Sequence, residues 1–154
     1  MISFGYRYIF KKKDLKKLNR PIINLHMSYL PYNKGSHPNF WSFIENTPSG
    51  ISIHEIDHGV DTGKIIFQKK INFNYKKNLK LNFRQTYNLL FKELEFSFLK
   101  KIKSIISGKY KSYRQKTKGT IHYKNDLPVK IIKNWNQSIA KTVLKYNNYI
   151  KVNK

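Results

Sequence analysis

The chain has 154 residues, 40% of them hydrophobic and 15% aromatic, and its 31 Lys and Arg against 8 Asp and Glu give a formal net charge of +23. That length holds one domain with a real core rather than two ordinary ones, and the apolar content excludes a disordered chain. No Cys is present, which excludes a disulfide framework and a thiolate zinc site and fits a reducing compartment. No apolar run approaches the roughly 18 residues of a membrane span. In "MISFGYRYIFKKK" the basic run follows the apolar one, the wrong order for a secretory signal. A soluble, cytoplasmic protein is expected.

In chain order, residues 1–10 read as a short strand and loop. A lysine-rich helical segment follows around Asp14 to Leu18, and Pro21 ends it. Ile22 to Leu25 are apolar on both faces, as in a strand inside a parallel sheet. Ser28 to Gly35 form a loop punctuated by Pro31 and Gly35. In "SHPNFWSFIEN" Ser36 is a candidate cap and Pro38 sits in the first helical turn; Phe40, Trp41, Phe43 and Ile44 supply the buried face. "GISIHEIDHGVDTGKIIFQKKI" has the shape of two strands around a loop at Asp57–Gly63. The longest predicted helix runs from about Phe83 to Ser107, with apolar residues at spacings of three and four, and Gly108 as its C-cap. An irregular polar stretch leads to a last amphipathic helix at about Ile132 to Tyr146.

Lysines are spread along the whole chain, with clusters at Lys11–Lys13, Lys16–Lys17 and Lys100–Lys103. Such charge attracts nucleic acid, an anionic cofactor or a nucleotide-linked substrate. Heavy joint use of Lys, Asn, Ile and Tyr also reads as a compositional bias without a dedicated polyanion surface.

The candidates for chemistry are few. His26, His37, His54, His58 and His122 are the five histidines, and a structural role is the default for each. His26 stands apart because Asn24 shares its side of the strand by period two. Both side chains point into one space at the strand's C-terminal edge, where open parallel sheets bind ligands. The second cluster is "IDHGVDTG", with Asp57 and Asp61 between flexible glycines. It lacks the ligand spacing of a calcium loop, and a plain turn is its simplest reading. No metal site is expected.

"NLHMSYLP" and then "GISIHEIDHGVDTG" resemble the formyltransferase family that uses 10-formyltetrahydrofolate, with its sugar N-formyltransferase and methionyl-tRNA formyltransferase members. The resemblance implies a catalytic trio of Asn24, His26 and Asp61. "SFGYRYI" looks like the family's folate-binding strand and loop, implying that Gly5, Tyr6, Arg7, Tyr8 and Ile9, with Asp57, bind the cosubstrate. "NFWSFIEN" and "GTIHYKNDLP" are similar to members that formylate amino sugars carried on nucleotides. The implied fold is α/β, the C-terminal portion of a Rossmann-like formyltransferase domain with a mixed sheet and flanking helices. Residues 1–110 would be a partial catalytic domain and 111–154 a C-terminal loop and helix extension. The family's catalytic domain normally begins with several βα units before this point. The expectation is therefore a chain that is poorly stable as an isolated monomer, pairing with itself or with a missing N-terminal partner.

The residue types suit formyl transfer. An Asn amide N–H can donate to the oxyanion of a tetrahedral intermediate. An imidazole beside it can donate as well, or carry a proton from amine to leaving nitrogen, and a carboxylate favours the protonated imidazole. The expected acceptor is a small molecule, the amine of a nucleotide-linked amino sugar. Alternatives are formylation of aminoacyl-tRNA, formylation of a small purine-pathway amine, an inactive fragment, and a basic nucleic-acid-binding protein. Only charge supports the last, so nucleic acid is not the expected partner.

Overall fold

The computed structural model describes residues 1–6 and 8–152. A four-stranded mixed sheet has the order β1-β2-β4-β5. β1 (Ile2–Phe4) runs parallel to β2 (Ile23–His26), and β2 runs antiparallel to β4 (Gly50–Glu55). β4 and β5 (Ile65–Lys70) form an antiparallel pair around the Asp57–Gly63 loop, as the apolar pattern on both sides of that loop predicted. The expected α/β class with a mixed sheet is therefore the observed one.

The long helix α3 (Phe83–Ser107) packs on this sheet. Asn82 and Gln85 exchange side-chain-to-backbone hydrogen bonds in a capping box at its start, and Gly108 ends it in the left-handed conformation. Ile23, Ile51, Ile53, Leu90, Leu94 and Ile105 make the core between sheet and helix.

A second core holds the shorter elements. Phe40, Trp41 and Phe43 of α2 (Pro38–Ile44) pack with Phe83, Ile132 and Ile139. The C-terminal segment is woven into this body. A two-residue strand β3 (Lys34–Gly35) pairs parallel with β6 (Ile121–His122), and helix α4 (Ile139–Val152) packs on α2.

Three expected details differ. The lysine-rich helix is a single turn, α1 (Lys12–Leu15). The residue before α2 is His37, in the left-handed conformation and without a side-chain cap bond. Ser36 lies one residue before that position, and its N–H donates to the His122 carbonyl at the β3–β6 junction. The last helix begins at Ile139 rather than near Ile132. Before it, Asn134 Oδ1 and Gln137 Oε1 accept from the backbone N–H groups of Asn136 and Lys133. Those local bonds compete with helix over the apolar stretch that periodicity alone would assign to it.

Candidate functional site

The C-terminal half of β2 faces a cleft of about 1100 Å³. One wall is the loop after β1, with Gly5, Tyr6, Tyr8, Ile9 and Phe10. Tyr6 stacks on Phe10 at 4.8 Å and meets Tyr8 edge-on at 5.7 Å. Arg7 lies outside the described residues. His37, Phe40, His122, Tyr123 and Trp135 also line the cleft. Trp41 is buried in the second core, as its place on the apolar face of α2 predicted, and stacks on His122 at 3.9 Å.

Asn24, His26 and Asp61 converge on the floor. The strand's alternation puts Asn24 and His26 on one face. Asp61 arrives from the β4–β5 loop with φ of +50°, a left-handed conformation that costs a non-Gly residue energy and recurs at functional sites. Gln115 Nε2 holds that loop by donating to the Asp61 and Gly63 carbonyls at 2.7 and 3.0 Å. Gly63 lies so close to the chain that a Cβ would sit 1.7 Å from the Glu55 carbonyl oxygen. Asp57 braces the same loop by accepting from the Gly59 N–H and the Thr62 hydroxyl, and it also lines the cleft.

The Asp61 carboxylate is fully engaged. Oδ1 accepts from Asn24 Nδ2 at 3.1 Å, and Oδ2 accepts from the Gly35 N–H at 2.8 Å. His26 Nε2 stands 3.6 Å from Oδ2, and His54 Nε2 stands 3.3 Å from Oδ1. Burial alone would raise the pKa of this carboxyl. The two imidazoles and the Gly35 N–H outweigh it and hold Asp61 far below the usual carboxylate range. Gly35 can offer its N–H because its φ of +81° and the His122 carbonyl, 2.3 Å from where a Cβ would be, leave room for glycine alone.

His26 is oriented by a residue outside the expected set. Its Nε2 is 3.2 Å from the Asn33 carbonyl oxygen. An oxygen of that kind only accepts, so Nε2 carries the hydrogen and Nδ1 is the lone-pair nitrogen of the neutral ring. Burial pushes the His26 pKa down, and Asp61 opposes that only in part. The carboxylate was expected to favour the protonated ring; desolvation wins, and His26 is neutral at neutral pH. Asn33 is itself fixed, with Nδ2 donating to Thr47 Oγ1 and its N–H donating to Thr120 Oγ1, each at 2.8 Å.

The structure brings the expected Asn24, His26 and Asp61 together, and it adds His54, Asn33 and Gln115, which the sequence did not single out. His54 lies opposite Asn24 in the antiparallel register, so the two share a face. Strand pairing would have found it, whereas spacing along the chain does not. The floor thus offers amide donors, a neutral imidazole and a fixed carboxylate beside an aromatic-walled cleft, with room and apolar surface for a flat heterocycle.

The sequence profile described as "Formyl transferase" matches residues 1–82. The methionyl-tRNA formyltransferase of Thermodesulfovibrio yellowstonii is 37% identical over 78 residues, 50% of this chain and 25% of that protein. The GDP-perosamine N-formyltransferase of Brucella melitensis is 34% identical over 73 residues, 47% of this chain and 28% of that one. The matches thus span about a quarter of those relatives' length. The solved formyltransferase PseJ of Anoxybacillus kamchatkensis, in complex with UDP-4,6-dideoxy-4-formamido-L-AltNAc and tetrahydrofolate, superposes with a TM-score of 0.84. It is 36% identical, over 92% of this chain and 74% of that one. With more than half of its residues matched by the profile, the chain belongs to the formyl transferase family.

Proposed function

We propose that this chain transfers a formyl group from 10-formyltetrahydrofolate to the primary amine of a nucleotide-linked amino sugar. The observation that carries the reading is the convergence of Asn24, His26 and Asp61 on one floor of the cleft. The similarity to PseJ, solved with a formylated UDP-sugar and tetrahydrofolate, supports both substrate classes.

The roles follow from the atoms present. The cosubstrate supplies an activated formyl carbon. Gly5, Tyr6, Tyr8 and Ile9 on one wall, with Asp57 beside them, would hold its ring system by aromatic contact and backbone polar groups. Arg7 belongs to the same stretch of sequence. Asn24 donates an amide N–H to the oxygen of the tetrahedral intermediate, in the manner of an oxyanion hole. Neutral His26, whose Nδ1 carries the lone pair, moves a proton between attacking amine and leaving nitrogen. Asp61 stays ionised and stabilises the positive charge that builds on the attacking nitrogen and on the His26 ring while that one proton passes to the leaving nitrogen. Trp135, Tyr123 and His37, which also line the cleft, suit the sugar and base of the acceptor.

A second reading is favoured by relatives that are methionyl-tRNA formyltransferases, similar over about half the chain, and by the +23 charge. One assay separates the two. The purified chain is given 10-formyltetrahydrofolate with UDP-, dTDP- and GDP-linked amino sugars or with methionyl-tRNA, and products are weighed by mass spectrometry. A formylated sugar nucleotide is expected. Formylation of methionyl-tRNA alone would replace the reading, and no product with any acceptor would refute activity in this chain.

A further inference from the structure

A second imidazole stands behind the trio, and the proposed chemistry makes no use of it. His54 in β4 is only 1% exposed and lies directly across from Asn24. Its Nδ1 is 2.7 Å from its neighbour's carbonyl oxygen, that of Glu55. That oxygen can only accept, so Nδ1 carries a hydrogen. The ring's remaining freedom is the state of Nε2.

His54 Nε2, Asn24 Nδ2 and Asp61 Oδ1 form a nearly equilateral triangle with sides of 3.2, 3.1 and 3.3 Å. Elementary chemistry fixes two corners. The carboxylate oxygen only accepts. The Asn24 corner is its amide nitrogen, because an amide oxygen there would set two acceptors face to face. The third corner is ambivalent. Neutral, His54 Nε2 accepts from Asn24; protonated, it donates to Asp61. In either state it adds a bond to one of the other two. The protons of an amide nitrogen diverge about twice as widely as the corner of such a triangle. One Asn24 proton can therefore serve both acceptors, leaving the other for the cleft.

We propose that His54 is a positioning residue for formyl transfer: by closing this triangle it keeps the Asn24 amide nitrogen turned to Asp61 and aims its second proton into the cleft. It also steadies Asp61 so that Oδ2 faces His26 and the Gly35 N–H. His54 acts through Asn24 and Asp61 rather than on substrate. The β4–β5 register shifts between Ile53 and His54, where the extra residue, Ile66, lies on β5 opposite them. The inference rests on the formyl-transfer reading for its kinetic consequence and on geometry alone for its structural one.

The test uses both. His54→Phe keeps a ring of similar volume without nitrogens, and His54→Gln keeps a polar group that can donate or accept. With H54F, kcat should fall about 10- to 100-fold while KM for each substrate stays within about 2-fold, as for other residues that orient a reacting group from behind. H54Q should recover most of that loss. Independently of turnover, the Asn24 side-chain amide protons should exchange with solvent at least about 10-fold faster in H54F than in the parent or H54Q, as read by NMR. If H54F does not fold, His54→Met, apolar and adaptable, takes its place. Unchanged Asn24 exchange and unchanged kcat in the apolar variant would overturn the proposal and leave His54 a packing residue. If the parent chain proves inactive, the formyl-transfer reading fails and the exchange rates alone decide the role of His54.

Discussion

The floor of the cleft and the flank made by β1 and α3 are built on opposite principles. On the floor, His26, Asn33 and His54 are buried, and every one of them has named polar partners. On the flank, Phe4 and Phe91 touch each other at 5.6 Å yet remain about two-fifths exposed. Along α3, Leu90, Leu94 and Ile105 are buried while Leu89, Phe96, Leu99 and Ile106 face solvent. The helix is apolar on two sides, and the sheet core takes one of them. Among the described residues β1 pairs with β2 alone. Geometry is therefore most strongly determined where polar groups must be satisfied, and least where three residues at a sheet edge hold their place by one ladder.

That contrast is broken most severely at Asp61. Asp61→Asn keeps the shape but removes the charge that faces both imidazoles. Turnover should fall by about 10²- to 10³-fold, the scale seen when one preorganised polar group in a reaction site is lost. The same change should lower the His26 pKa further, since Asp61 is the group that pulls it up. An NMR titration of the His26 ring checks this, and an upward shift would count against the assigned polarity of the pair.

The sheet core and the loop that carries Asp61 offer the next largest effects. Ile53→Ala removes a fully buried side chain between sheet and α3 and should cost about 2–5 kcal/mol in urea unfolding. Gly63→Ala drives a methyl group into the Glu55 carbonyl. It should cost on the order of 1–3 kcal/mol, the range for overpacking, and should displace Asp61 with the loop. Loss of activity with unchanged stability in G63A would mean that the loop yields without strain.

The strand pair around the Asp57–Gly63 loop, the long helix with its Gly108 cap, and the Asn24–His26 pair were legible because each follows from a local rule. Alternation aims two side chains, a 3.6-residue period lays down α3, and Gly108 stops it. Asp61 was legible only through the family resemblance, because its neighbours in sequence read as an ordinary turn. His54 was not legible at all: it faces Asn24 through the register of two antiparallel strands, 30 residues apart. Asn33 acts through a backbone carbonyl, which every residue has, so no residue type signals it. The start of α4 was misread because periodicity continues through Ile131 and Ile132, both buried in turns, where Asn134 and Gln137 take the backbone N–H groups first.

Acid should expose the electrostatic side of the contrast. Asp61 has a folded-state pKa below its ordinary 3.8, so its stabilising contribution is present above that value and is lost as pH falls through and below it. His26 has a folded-state pKa below its ordinary 6.5, so below 6.5 the unfolded chain takes up the proton first and stability falls. His37, also held low by burial and by Lys124, acts in the same direction. Urea midpoints should therefore decline from neutral pH toward pH 5, and His26→Gln should flatten that decline without abolishing it. A midpoint that rises with acid would contradict the neutral, buried His26.

The smallest effect is expected on the flank, and it measures how far the two regions differ. Leu99→Ser and Ile106→Ser replace side chains already three-fifths exposed. Each should change unfolding free energy by no more than about 0.5 kcal/mol, the usual range for surface positions, against the severalfold larger cost at Ile53. Hydrogen exchange should draw the same line along the sheet. The β1 amides, in three residues of which Ile2 and Phe4 are exposed, should open by local fraying, while those of β2 and β4 wait for global unfolding. If β1 amides were protected as well as those of β4, or if either serine variant cost as much as Ile53→Ala, the flank would have to be covered in solution, by a second copy of the chain or by another polypeptide. Sedimentation of the same samples would then show a species larger than the monomer. A monomer with a fraying β1 would instead mean that the buried polar floor holds its geometry beside an uncovered edge.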